Sequence, residues 1–185
     1  MVALHVPARR KLRRTEYDQM VAIGLFRGEH VELFRGELVA MSPIGCPHSA
    51  VVTRLDRLLD RAMAAGMVVR CQQPLACADE SEPEPDLAVV ADAAFELAHP
   101  AAAVLVVEVA DSSVDYELGA KAALYAESAV DEYWVLDLAR RVVVVHRDRA
   151  DGGWGSVQDH AADAAVTPLA LPTVAVVLDA LLAAA

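Results

Sequence analysis

Two apolar runs, each carrying an acid, constrain this chain more than anything else in it. Glu84-Pro85-Asp86 leads into Leu87-Ala88-Val89-Val90, and Val104-Leu105-Val106-Val107 leads into Glu108-Val109-Ala110. Valine and leucine runs of this length, bounded by proline or polar residues, predict buried strands. A carboxylate inside such a run is costly to bury unless it is paired, hydrogen-bonded or bound to a metal. Two of them on neighbouring strands, with Lys121 a short way beyond, point to a shared divalent cation. Hard cations such as magnesium take oxygen ligands, typically one or two carboxylates completed by water and substrate phosphate.

A chain of 185 residues is most simply one domain, long enough to bury a core. Its hydrophobic content of 56% is high, but alanine supplies much of it. No run approaches the roughly 20 apolar residues that a membrane span requires. The basic cluster Arg9, Arg10, Lys11, Arg13 and Arg14 follows a few apolar residues rather than preceding an apolar core, the wrong order for a signal peptide. Cys46, Cys71 and Cys77 form no CxxC pair, and an odd number cannot all be bridged, which places the chain in the reducing cytoplasm.

A net charge of −11 argues against a general nucleic-acid coat protein. It leaves room for a nuclease, whose metal site is itself acidic and whose DNA contact needs only a local basic patch. The cluster within 1–14 is either that patch or a solvated tail ahead of a single domain over 15–185. His30, His99, His146 and His160 lack metal-ligand spacing, which argues against zinc. The motifs GxxxxGK[ST], GxGxxG, GxSxG and HExxH are missing, which removes the nucleotide-loop, Rossmann, hydrolase-elbow and zincin readings.

Along the chain, Thr15 with acids behind it predicts a helix over 15–23. Residues 31–34 and 37–41 flank Arg35-Gly36 as a hairpin. Val52, Leu55, Leu58, Leu59 and Met63 predict a helix over 49–65, ended by Gly66, with a strand over 67–72 beyond it. From 114 to 128 the period is helical again, with Leu118, Ala122 and Tyr125 on the packing face and Lys121 at its margin. Strands follow over 133–138 and 141–147, a weaker one around Trp154, and a final strand passing into a short helix over 174–182. This order predicts a mixed α/β fold, α+β in detail, with a central sheet.

These residues resemble the Uma-type bacterial restriction-endonuclease proteins, a branch of the PD-(D/E)XK nuclease superfamily. The likeness rests on Thr15-Glu16-Tyr17, Val31-Glu32-Leu33-Phe34-Arg35-Gly36-Glu37, Met41-Ser42-Pro43-Ile44-Gly45 and His48. It continues through Gln72, Glu82-Pro83-Glu84-Pro85-Asp86-Leu87, Glu108-Val109-Ala110-Asp111-Ser112-Ser113, Lys121-Ala122-Ala123-Leu124-Tyr125 and Glu132-Tyr133-Trp134-Val135-Leu136-Asp137. Each motif is weak alone; the ordered set is specific. The resemblance implies the restriction-endonuclease-like fold, a mixed central sheet flanked by helices with the active site at one edge.

It also implies roles. Asp86 matches the aspartate of the PD motif and Glu108 the acid of the second motif, the two that would hold Mg²⁺, with Mn²⁺ as a possible substitute. The superfamily's usual lysine position is Ala110 here, and Lys121 on the following helix is the match. Of Glu32 and Glu37 on opposite hairpin arms, the family pattern favours Glu32 to complete the site. His48 and Gln72 are placed to orient water or phosphate. The resulting expectation is a Mg²⁺-dependent phosphodiester hydrolase, a DNA endonuclease, with RNA left open as a substrate. A catalytically inactive protein that keeps the nuclease fold for binding or assembly is the alternative. Two-fold pairing of sites predicts a homodimer, with residues 174–185 and the Trp134 strand offering surface for it.

Overall fold

The computed structural model describes residues 9–93 and 95–183. Helix α1 (Arg14–Ala22) starts one residue before Thr15, because the Glu16 carboxylate turns back to accept the Arg13 amide at 3.0 Å and makes Arg13 the cap. Strands β1 (Val31–Phe34) and β2 (Glu37–Ala40) form the expected hairpin. Arg35 and Gly36 both take positive φ, 49° and 81°, the pair a tight two-residue hairpin turn demands. Helix α2 (Cys46–Arg61) opens at Cys46 rather than Ser49, with Pro47 in its first turn, and so takes His48 into the helix.

Strands β3 (Met67–Cys71), β4 (Leu87–Ala91), β5 (Ala102–Ala103) and β6 (Leu105–Ala110) come next. The segment read as one helix over 114–128 is composite: α3 (Val114–Tyr116), a π-helical turn over Glu117–Lys121, then α4 (Ala122–Glu127). Strands β7 (Ala129–Val130), β8 (Tyr133–Asp137), β9 (Val142–Ala150) and β10 (Gly153–Ala161) lead to helix α5 (Leu178–Leu182). The weak strand around Trp154 thus extends to nine residues, paired along β9.

The central sheet runs β10-β9-β8-β6-β4-β3. Within that sheet, among the described residues, only the β6–β8 pair is parallel, and the α3–α4 segment is their crossover. Both sheet faces are covered, which is why β4 and β6 read as nearly continuous apolar runs. On one face Leu105, Val107, Val109 and Trp134 pack with Leu55 and Leu59 of α2 and Leu178 and Leu181 of α5. On the other, Val106 and Ala110 pack with Tyr125, Tyr133 and Ala122. Glu108 alternates with Val107 and Val109 and therefore shares the second face, beneath the crossover.

Two expectations about surface change. Val174, Val176, Leu178, Leu181 and Trp134 all lie in the protein's own core and offer no face for pairing. The 174–182 strand reduces to a bridge, Val166 with Val176, ahead of α5. Ala184 and Ala185 lie outside the described residues, as do 1–8 of the basic segment. Residues 11–14 of that segment are docked on the acidic loop at 79–84. Arg10 pairs with Glu16, Lys11 with Glu80 at 3.4 Å, Arg13 with Asp79 at 3.5 Å and Arg14 with Glu82 at 3.7 Å. Backbone bonds from Leu12 to Gly36 and from Arg14 to Asp79 fix the stretch in place.

Candidate active site

Asp86 sits on the last residue before β4, opposite Gln72 at the end of β3, whose amide donates to the Asp86 carbonyl at 3.0 Å. Gln72 holds a left-handed φ of 50°, a conformation uncommon for a residue with a side chain. Its side-chain amide lies 3.4 Å from Asp86 Oδ1. The Val109 amide donates to Asp86 Oδ2 at 2.8 Å, and His48 Nε2 lies 3.0 Å from the same oxygen. The early start of α2 is what brings His48 there. In return the Asp86 amide donates to Glu108 Oε2 at 3.3 Å, so the two acids are tied across neighbouring strands.

Glu108 Oε1 accepts from Lys121 Nζ at 3.0 Å and from the Tyr125 hydroxyl at 2.9 Å. Lys121 is wholly buried rather than marginal. Around its ammonium stand Glu108, Glu32 at 3.6 Å and Glu117 at 3.7 Å. Glu117 and Lys121 bound the π turn and, four residues apart, are both buried, while Leu118 is half-buried. Glu32 accepts the Glu84 amide at 3.1 Å and the Tyr116 hydroxyl at 3.2 Å.

Electrostatics follow from this crowding. Burial pushes the Glu108 carboxyl well above its ordinary range; Lys121 pulls it back, and Glu117, Asp86 and Glu32 push it further up. Glu117 is raised by burial, with Lys121 opposing and Glu32 and Asp86 adding to the rise. Burial disfavours the Lys121 ammonium, yet the Glu108, Glu117 and Glu32 charges outweigh it and keep the lysine firmly protonated. Burial likewise opposes a charged His48, but its bond to Asp86 and the Asp86, Asp111 and Glu117 charges prevail and raise its pKa.

A cleft opens over this network between the 41–45 loop and the 111–113 loop, with Asp86, Glu108 and Lys121 in its lining. His30 stands at its mouth, 2.6 Å from Glu84. The structure thus brings Asp86, Glu108, Lys121, Glu32, His48 and Gln72 into one connected set. Glu37 is exposed on β2 and takes no part. Glu117, Tyr116 and Tyr125 join the set although the sequence reading did not single them out as site residues. The available signal was spacing, since Glu117, Lys121 and Tyr125 lie four residues apart. Among the described residues no group of three or more His, Cys, Asp or Glu side chains is arranged to enclose a metal ion.

The Uma2 family model, with the description "Putative restriction endonuclease", matches residues 14–181. Among solved structures, a protein from Anabaena variabilis described as "a putative nuclease belonging to DUF820" superposes with a TM-score of 0.69. Identity is 14%, over 82% of this chain and 89% of that one, a likeness of fold. None of the curated proteins compared matches the chain.

Proposed function

Since the chain belongs to the Uma2 family of putative restriction endonucleases, we propose that it is a Mg²⁺-dependent phosphodiester hydrolase that cuts DNA at this cleft. The observation that carries the proposal is Asp86 and Glu108 bound to each other's strands, with the buried Lys121 ammonium 3.0 Å from Glu108.

The residues fit a hard divalent cation. The donor set is oxygen, Asp86 and Glu108, as Mg²⁺ prefers. Acid exceeds base in the lining, and Glu117 Oε2 is buried without a hydrogen-bond partner among the described residues. Two carboxylates suffice where water and phosphate complete the shell, so the lack of a three-residue cluster is consistent with a site of this kind. When bound, the cation supplies Lewis-acid polarisation of the phosphate and acidifies a water.

The chain's own groups do the rest. Lys121 offers a fixed positive charge where the phosphate's charge develops, held by carboxylates on three sides and therefore preorganised. His48, anchored on Asp86, and Gln72 orient water or a phosphate oxygen. Tyr125 fixes the rotamer of Glu108 through its hydroxyl. Glu32 and Glu117 position Lys121.

Cutting both strands calls for two such clefts, and a homodimer supplies them. Cys46, Cys71 and Cys77 are free thiols, in keeping with the reducing cytoplasm. Among the described residues no helix is long and apolar enough to cross a membrane. Incubating supercoiled plasmid with Mg²⁺, with Mn²⁺ and with EDTA tests the activity, beside Asp86→Asn. Nicking that needs the metal and disappears in the variant is the expected result. No nicking under any condition leaves a nuclease fold that serves binding or assembly instead. Light scattering tests the dimer; a mass near the monomer's 19.7 kDa at all concentrations removes it.

A further inference from the structure

The cations of this acidic chain are unevenly committed. Arg10, Lys11, Arg13 and Arg14 are all paired with acids, as are Arg140, Arg141 and Arg147, and Lys121 is buried. Arg54, Arg57 and Arg61 make no ion pair among the described residues, and they share one helix. Arg57 and Arg61 are exposed; Arg54 is half-buried and held by the Leu181 carbonyl at 2.6 Å. Spacings of three and four residues set the three arginines in one stripe along α2, opposite the buried Val52, Leu55 and Leu59. The same period sends Asp56 and Asp60 to one flank of the stripe.

The stripe leads to the candidate site. One surface groove runs past Arg54, Arg57 and Arg61 against the 175–181 segment. A second runs past Arg57, Arg54 and Thr53 to Gly45 and Ile44. Gly45 and Ile44 also line the cleft over Asp86 and Glu108. Shared walls thus set three guanidinium groups without ion pairs next to the cleft of the proposed reaction centre.

Resting on the nuclease reading above, we infer that this α2 stripe is the surface that tracks the phosphate backbone of the nucleic acid whose scissile group enters the cleft. Arg57 and Arg61 contact phosphates directly, and Arg54 sets the start of the track at the cleft mouth. From Arg54 to Arg61 the helix rises about 10 Å, a length that spans roughly three phosphates of one strand measured along the duplex axis. Guanidinium groups suit phosphate because their fork of donors matches its oxygens. In a chain of net charge −11, such a patch decides where a polyanion can approach at all. The stretch over 10–14, basic as it is in sequence, is already neutralised by Glu16 and the loop beneath it and plays no part.

Fluorescence anisotropy with a short labelled DNA duplex in EDTA reads binding apart from cleavage. Arg57→Ala/Arg61→Ala is expected to weaken binding about tenfold or more and to lower the salt slope of log K by about 2. Both positions are exposed, so the melting temperature should stay put, and Arg10→Ala/Arg13→Ala should bind as the native protein does. Plasmid nicking is measured on the same proteins. Unchanged duplex binding by the α2 variant, with nicking intact, overturns the surface and leaves the nuclease standing. Native binding lost in the variant without any nicking supports the surface and rejects the catalytic reading. Native protein that neither binds nor nicks overturns both. Arginine-dependent binding to phosphatidylserine vesicles with none to duplex assigns the face to lipid and overturns it as well.

Discussion

Glu108 and Glu132 are both buried carboxylates beside the same parallel strand pair, and they are treated in opposite ways. Glu132 Oε1 accepts from the Trp134 indole and the Arg147 guanidinium, each at 2.7 Å, and Oε2 accepts the Leu169 amide at 2.7 Å. One acid meets one cation there, and both oxygens are capped. Around Glu108, among the described residues, a single ammonium faces Glu108, Glu32 and Glu117, with Asp86 adjacent, and Glu117 Oε2 lacks a hydrogen-bond partner. A satisfied buried pair orders a fold; a buried surplus of acid opening on a cleft is a place that accepts more positive charge. The comparison separates a structural clamp from a working site on charge balance alone.

The largest effect expected is from removing the cation of the surplus cluster. Lys121→Met keeps the bulk but strands three buried carboxylates, and breaking a buried pair this way costs about 3–5 kcal/mol. Lys121 is therefore a stability residue as well as a proposed charge stabiliser, and the loss of nicking in this variant is meaningful only for the fraction still folded. Urea unfolding followed by tryptophan fluorescence reads the loss. A variant as stable as the native protein would mean the carboxylates had protonated at little cost and the surplus is not real.

Adding charge should do the reverse. A cation that binds only the folded protein stabilises it by about 2.7 kcal/mol at a hundred times its Kd. Thermal melts with Mn²⁺ or Mg²⁺ should show such a gain in the native protein and lose it in Asp86→Asn. Glu132→Gln lowers stability on its own account, since it weakens a capped ion pair, but the metal-induced gain should remain. A gain of the same size in Asp86→Asn would put the cation somewhere other than the cleft.

The contrast between these clusters was half legible in the sequence. Asp86 and Glu108 stand out because an acid amid valines has few ways to be tolerated. The hairpin turn follows from a local pattern of the same kind. Glu117 does not stand out, since an acid four residues before a lysine reads as an ordinary pair on an exposed helix face. Its burial under the sheet beside Lys121 reverses that. The basic cluster misleads for a related reason: the partners of Lys11, Arg13 and Arg14 lie more than sixty residues away, at 79–82. The 174–182 segment misleads because an apolar stretch does not announce whether it will cover its own core or another chain's.

A third buried carboxylate, Glu82, tests whether burial alone produces the tension seen around Glu108. It is 3% exposed, its nearest cation is Arg14 at 3.7 Å, the His99 ring lies 3.9 Å away with its pKa pushed down by burial, and no donor hydrogen-bonds its side chain among the described residues. Burial pushes its carboxyl up to about 7; Asp18 and Glu84 add to the rise and Arg14 opposes it. In the unfolded chain the group returns to its ordinary 4.5. Between those values the folded protein keeps a proton that the unfolded chain has lost, so its share of stability is full below about 4.5 and drains away as the pH rises through 7. Glu82→Gln cannot titrate, and the native-minus-variant difference in unfolding free energy should shift by about 1–3 kcal/mol against the native protein from pH 4.5 to 8. Subtraction cancels the other titrating groups, which both proteins share. A difference flat across that interval would mean that Arg14 fully compensates Glu82, and that only the cleft at Asp86 and Glu108 holds unbalanced acid.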